Sequence, residues 1–269
     1  MLAIKNNTMA ANAARHLGRS YDALAKSVER LSSGLRINSA KDDAAGLAVR
    51  ELMRADVAVL QQGARNAQDG ISMLQTMEGA VATIDDILVR MKMLAEQAAT
   101  GSYSPAQRVI MNSEFQELSF EVDRIATGTD FNSIKMLDND VTKTIVFGSR
   151  DDKIEIKGSD VTKTGLGIDV ASISSTESAL AALNTLDSAI ALKDEARAAF
   201  GYKMNRLEGT VSVLNIQAEN LVASESRISD VDVATEMAAM TRNQVLAQAG
   251  TAMLAQANTI PQMALTLLR

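Results

Sequence analysis

The chain has no cysteine, no tryptophan, two prolines and a single histidine among 269 residues. The missing thiols exclude disulfide staples, zinc–thiolate centres, thiol catalysis and redox switching together. One imidazole, His16, cannot build a histidine metal cluster, and acid–base catalysis by histidine would rest on it alone. Aromatic residues make up 3% of the chain against 46% hydrophobic, a balance rich in Ala, Leu and Met that favours helix over β-sandwich. The formal net charge of −6 argues against a nucleic-acid partner. At this length the chain can bury a sizeable core without covalent help, as one large domain or two ordinary ones.

Charge is unevenly placed. Residues 1–36 carry six basic side chains (Lys5, Arg15, Arg19, Lys26, Arg30, Arg36) and two acidic ones (Asp22, Glu29), residues 227–269 balance, and the acidic excess lies between. The first twenty residues hold no continuous apolar stretch, so no cleavable secretory signal is expected. Asn243–Leu268 carries no charge and is long enough to span a bilayer. Gln244, Gln248, Gln256, Asn258 and Gln262 interrupt it, and amides at that density are costly in hydrocarbon. The expectation is a partner-buried helix, with no membrane span.

The strongest pattern is apolar spacing that alternates three and four. It runs through Leu17, Tyr21, Leu24, Val28, Leu31 and Leu35, and through Phe200, Met204, Leu207, Val211, Leu214, Ala218 and Leu221. Two more runs are Met77, Val81, Ile84, Leu88, Met91, Ala95 and Met111, Phe115, Leu118, Val122, Ile125. A 3.5-residue period keeps one seam facing a partner helix, as coiled-coil packing requires. Ser104 and Gln107 around Pro105 read as a capping box with proline at the first helical position, after a turn at Gly101-Ser102. Ser174 with Glu177 reads as a second box opening a long C-terminal helix, and Ser39 with Asp42 as a third, after a break at Ser32-Ser33-Gly34. Between Gly128 and Ser174, Gly, Asp, Asn and Thr cluster around two alternating runs, Lys143–Phe147 and Lys153–Lys157, joined by turn-forming Gly148–Asp152; this predicts a β-hairpin.

The expected fold is mainly α: long antiparallel coiled-coil helices forming a rod, with a small β-hairpin insert between the N- and C-terminal halves. Residues 1–40 with 227–269 are expected to form a terminal coiled-coil domain, and 41–226 a helical rod domain with the hairpin near 140–160. The last segment is apolar around most of its circumference (Val245, Leu246, Met253, Leu254), which a lone helical hairpin cannot bury. Such a surface calls for other copies or a partner, and contacts that do not close on themselves grow a helical filament.

No catalytic, cofactor-binding or metal site is expected. The acidic pairs Asp42-Asp43, Asp85-Asp86 and Asp151-Asp152 are sequence neighbours, which diverge on a helix and cannot share an acid–base site. Asp138-Asn-Asp140 lacks the glycine and distant glutamate of a calcium loop and reads as a turn. The 14 methionines read as filler of irregular core space.

Leu31–Ala48, with its Ser-Ser-Gly-Leu-Arg-Ile-Asn-Ser-Ala-Lys-Asp-Asp-Ala-Ala-Gly run, resembles the N-terminal signature of bacterial flagellin. Ile228–Met237, Gln248–Asn258 and the ending Leu265-Thr-Leu-Leu-Arg269 resemble its C-terminal signatures. The resemblance covers residues 1–135 and 175–269 and leaves only a short segment between, so the outer variable domains of longer members are missing. It implies an inner-tube domain from the two ends and a rod domain from the middle. It implies a homopolymer in a helical filament used for swimming, secreted through type III export without signal cleavage and extracellular once assembled. The partners it implies are an export chaperone on the C-terminal helix, a filament cap and hook–filament junction proteins.

The residues expected to form self-assembly seams are Leu17, Leu24, Val28, Leu31, Ile228, Val231, Val245, Leu246, Met253 and Leu254, with Arg15, Arg19, Arg30 and Arg36 set to pair with Asp230, Asp232 or Glu236. The resemblance also carries over a contact with a vertebrate Toll-like receptor at Arg90, Leu94 and Glu114, beside Val89 and Met93, which depart from the family's polar residues there. Leu265, Leu267, Leu268 and Arg269 resemble a tail sensed by cytosolic innate receptors. Two rival readings are the hook–filament junction protein of the same superfamily, which shares the terminal helices, and a coiled-coil signalling protein. The match to both signatures disfavours the first, and the β insert with the uncharged last helix disfavours the second.

Overall fold

The computed structural model describes residues 6–148 and 152–266, with side chains through Ile260 and at Met263. Five helices and one hairpin follow in order: α1 Thr8–Ser33, α2 Ala44–Ala99, α3 Pro105–Gly128, β1 Thr142–Val146, β2 Lys153–Lys157, α4 Thr176–Ser229 and α5 Val233–Thr266. The predicted mainly helical fold with a small antiparallel insert is the one observed. Two compact units divide the chain: residues 1–57 with 220–269, and residues 58–219.

In the second unit, the heptad runs do what their spacing requires. Met77, Val81, Ile84, Leu88, Met91 and Ala95 of α2 are buried, as are Phe115, Val122, Phe200 and Leu207, in one continuous core. The ion pairs Lys92–Asp187, Lys193–Asp85 and Arg197–Glu78 descend α2 as they ascend α4, so the two run antiparallel. Helix α3 returns along α2 after the predicted turn: Ser104 accepts from the Gln107 amide, the Gln107 side chain accepts from the Ser104 amide, and Pro105 stands at N1. Arg108 is buried at that turn and donates to the carbonyls of Ala98 (2.8 Å) and Thr100 (3.1 Å), putting a cation on the unsatisfied C-terminal end of α2.

The hairpin pairs Thr142 with Lys157 through Val146 with Lys153, and alternation buries Ile154 and Ile156 while Lys153, Glu155 and Lys157 face solvent. Its first strand begins and ends one residue earlier than predicted, and Phe147, whose amide still donates to the Asp152 carbonyl at 3.1 Å, lies with its backbone against α2. At Gly63 a Cβ would collide with the Phe147 carbonyl oxygen, so only glycine admits that approach. The turn residues 149–151, including Asp151, fall outside the described residues.

Two cap assignments are corrected. Helix α4 opens one residue later than expected: Ser175 accepts from the Ser178 amide (3.1 Å) and Ser178 Oγ accepts from the Ser175 amide (3.0 Å), so the box is Ser175–Ser178 and Glu177 sits in the first turn. Ser39 and Asp42 close a turn instead of opening α2. The Asp42 amide donates to the Ser39 carbonyl, while Asp43 caps the helix by accepting from the Gly46 amide at 2.9 Å. The adjacent carboxylates thus have separate structural jobs.

Candidate self-assembly surface

In the first unit α1 and α5 lie antiparallel. Asn7 caps α1 by accepting from the Ala10 amide, and its side-chain amide donates to the Ala257 carbonyl at 2.7 Å. Leu17 lies over Gly250, whose missing side chain gives it room, and Arg30 meets Glu236 at 3.4 Å. The pairing buries very little. Within it Ser27, Ala247 and Ala257 are buried, whereas Tyr21 and Val28 are each 51% exposed on the same heptad spacing that is sealed in α2.

The ten seam residues divide accordingly. Leu17, Leu24, Leu31, Ile228, Val231 and Leu254 are half-buried, while Val28, Val245, Leu246 and Met253 are exposed. Val245 and Met253 are about as open as surface charges would be, at 58% and 62%. Met9, Leu17, Leu246 and Met253, with His16 and Arg19 at the rim, line an open groove of about 690 Å³ between the two helices. His16 itself is exposed. Met9, Met237 and Met253 correct the reading of methionine as core filler alone: four methionines seal the second unit's core, but these present their side chains outward. Exposed Gln244, Gln248, Gln256 and Asn258 divide the apolar surface of α5, and among the described residues no helix is long and apolar enough to cross a membrane.

Of the four arginines, Arg30 reaches an acid, Glu236. Arg36 instead donates to the Ile228 carbonyl at 2.6 Å, and Arg15 bonds Asn12 within its own helix. Asp232 caps α5 through the Ala234 amide (3.0 Å) and the Thr235 hydroxyl (2.6 Å), and those bonds, led by the Thr235 hydroxyl, hold its carboxyl below the ordinary range. Asp230 accepts from Ser226. Sequence reasoning missed a close charge contact in this unit. Lys26 lies 2.7 Å from Asp42, which also accepts from the amides of Asn38 and Ser39, and these bonds lower its pKa to about 2. Spacing gave no signal for a partner reached across a turn.

On the second unit, Arg90 donates twice to one oxygen of Glu114, at 3.0 and 2.6 Å, on the surface where α2 and α3 run side by side. Leu94 lies beneath, 3% exposed within the core, while Val89 and Met93 are open to solvent. Leu267, Leu268 and Arg269, and the side chain of Leu265, fall outside the described residues. Among the described residues no cluster of three or more histidines or acids is placed to hold a metal ion.

What the first unit offers chemically, among its described residues, is a pair of helices with unsealed apolar faces and no reactive constellation. The chain is similar to known proteins along its whole length. The model of the bacterial flagellin N-terminal helical region matches residues 4–142, and that of the C-terminal helical region matches residues 183–268. A flagellin of Halalkalibacterium halodurans is 43% identical over 99% of both chains, and a flagellar filament 33 kDa core protein of Treponema phagedenis is 42% identical, also over 99% of both. Among solved structures, a Bacillus cereus flagellin superposes with a TM-score of 0.52 at 30% identity, covering 60% of this chain and 94% of that one. The chain belongs to the bacterial flagellin family: it is a structural, non-enzymatic subunit that polymerises into the flagellar filament.

Proposed function

We propose that the terminal unit is the inner-tube element of the filament and that neighbouring copies complete the apolar faces of α1 and α5. One observation carries this reading: Val28, Val245, Leu246 and Met253 stand open on helices whose spacing demands a partner. Residues 1–40 with 227–269 then build the tube, and 41–226 the rod around it. A pair that seals only small residues is marginal alone, so both ends gain most of their order on assembly. That behaviour suits passage of the chain through a narrow type III export channel to an extracellular filament used for swimming. An export chaperone would cover the α5 face meanwhile, and cap and hook–filament junction proteins would meet the same helices at the filament's ends.

The surface around Arg90 and Glu114 is the place where a vertebrate Toll-like receptor would contact the subunit. Leu94 acts there by holding the two helices at their spacing, since it is buried. Exposed Val89 and Met93 put apolar area where the recognised members of the family carry polar residues, which weakens recognition.

Seeded polymerisation tests the assembly reading. Leu246→Asp places an unpaired carboxylate on the seam and is expected to abolish elongation of filament seeds, followed by electron microscopy, while thermal unfolding of the second unit is unchanged. Normal filaments from that variant would overturn the assignment of the seam.

A further inference from the structure

The segments that join the terminal helices to the rest of the first unit, Gly34–Arg36 and Ser229–Val231, are bonded to each other. The Arg36 amide donates to the Ser229 carbonyl at 2.6 Å, and the Val231 amide to the Gly34 carbonyl at 3.0 Å, so that Leu35 and Asp230 face each other across an antiparallel bridge. The Arg36 guanidinium adds a charge-assisted bond to the Ile228 carbonyl, 192 residues away in sequence. Both helix ends are fixed at this clasp. Gly34, at φ +73°, terminates α1 with its amide on the Arg30 carbonyl, and Asp232 starts α5. Lys26–Asp42 and Arg50, which donates to the Ile37 carbonyl at 2.8 Å, brace the connector from behind.

Beyond the clasp, three contacts mark the register of α1 and α5: Arg30–Glu236 nearest the clasp, Leu17 over Gly250, and Asn7 on the Ala257 carbonyl at the far end. Between them, half-sealed Leu, Val, Met and Ala side chains discriminate weakly, so the alignment that brings these contacts together is set most readily from the base of the pair. We propose that the clasp is the nucleus from which α1 and α5 zip together in register when the subunit joins the filament. This rests on the reading that the ends gain their order on assembly. With Leu35 paired to Asp230, bringing Arg30 to Glu236 closes about 11 residues of chain; from the Arg54–Glu225 pair it closes about 35, a difference of roughly fivefold in closure probability. Arg30 Nε, Asn38 Nδ2 and Ser229 Oγ are buried at this joint without a hydrogen-bond partner, which weakens it. On this proposal the clasp opens and closes in a free subunit instead of holding the ends permanently.

The chain has no cysteine, so one disulfide can lock the clasp cleanly. A facing pair whose neighbours make the bonds has Cα atoms about 4.5 Å apart, within disulfide range. In the full-length variant Leu35→Cys with Asp230→Cys, the oxidised subunit is expected to protect α1 and α5 amides from hydrogen exchange and to elongate seeds about fivefold faster than the same protein reduced. Arg36→Ala in the unlocked chain is expected to slow elongation without changing the unfolding of the second unit. If the ends of the unmodified monomer exchange freely but oxidation brings no protection, or slows elongation, the clasp is not the nucleus and the proposal falls alone. If those ends are already protected in the unmodified monomer, the reading that they order on assembly falls, and the proposal with it.

Discussion

Glycine at three places along α2 does three different things, and substitution separates them. At Gly63 a Cβ would meet the Phe147 backbone, which cannot move without lifting the hairpin. Gly63→Ala is therefore expected to destabilise the second unit by about 2 kcal/mol. At Gly70 the neighbours are side-chain tips of Ile145 and Leu207 at 3.2 and 3.3 Å, which can shift, so the same change costs less. At Gly79 nothing lies within 4 Å, and Gly79→Ala is expected to stabilise by about 0.5–1 kcal/mol through helix propensity. Thermal unfolding followed by circular dichroism reads all three signs; a stabilised Gly63→Ala would refute the close packing. Ser133 is the converse case. The chain reverses at Asn132 and Ser133 with φ of 50° and 63°, and Phe131 and Ile134 exchange backbone bonds across them. Asparagine tolerates that region, but serine is strained there, so Ser133→Gly is expected to gain about 1 kcal/mol and raise the midpoint by a few degrees.

Elements were legible in the sequence where one period or one cap decided them. The run Met77 to Ala95 was readable as a core seam because every member recurs on one face, and the Ser104–Gln107 box because each of the two side chains bonds the other residue's backbone amide, three positions away. Val161, Leu166, Ile168 and Ile173 were not readable as core. They lie in a segment rich in Gly, Asp and Thr, and they are buried because α3 ties the segment down: Asn112 accepts from the Ile173 amide at 2.8 Å, and Gln116 donates to the Ala171 carbonyl at 2.8 Å. Lys193 was hidden because its partner Asp85 lies on another helix, 108 residues away. Burial alone would pull its pKa down, but bonds to Asp194 and Asp85 outweigh it and keep the ammonium charged, with a raised pKa. The assembly seams were legible as spacing, whereas the clasp was not, since no local pattern links Arg36 to Ser229. The connector also has a defined acid response. Asp42, lowered chiefly by Lys26, ties α1 to the start of α2 above the carboxyl's unfolded value near 4, and that tie is lost as pH falls toward about 2. Hydrogen exchange at Asn38 and Ser39, which donate to Asp42, is expected to show extra opening across that window, and Asp42→Asn to remove the pH dependence.

At the scale of the whole chain, the two units differ in how they hold themselves together, and this sets the order in which they come apart. The continuous core of buried Leu, Ile, Val, Met and Phe lies entirely in residues 58–219. The terminal unit seals Ile37 in its connector and Val57 further along α2, and otherwise only Ala247, Ala257, Ser27, Arg50 and Ser229 among the described residues, leaving its other large apolar side chains half-buried or exposed. Each large side chain left half in water forgoes roughly 1 kcal/mol of the stabilisation its burial would contribute, so α1 and α5 stand at the low end of local stability in a single chain. Hydrogen exchange of the monomer is thus expected to show α1 and α5 exchanging orders of magnitude faster than residues 73–98 of α2, with heating melting the terminal unit first. On seeding, protection should rise in α1 and α5 and change little in the second unit's core, because only the former gains burial. Equal protection across both units in dilute monomer, or a gain on polymerisation confined to α2 and α4, would mean that the exposed seams are not what the filament seals.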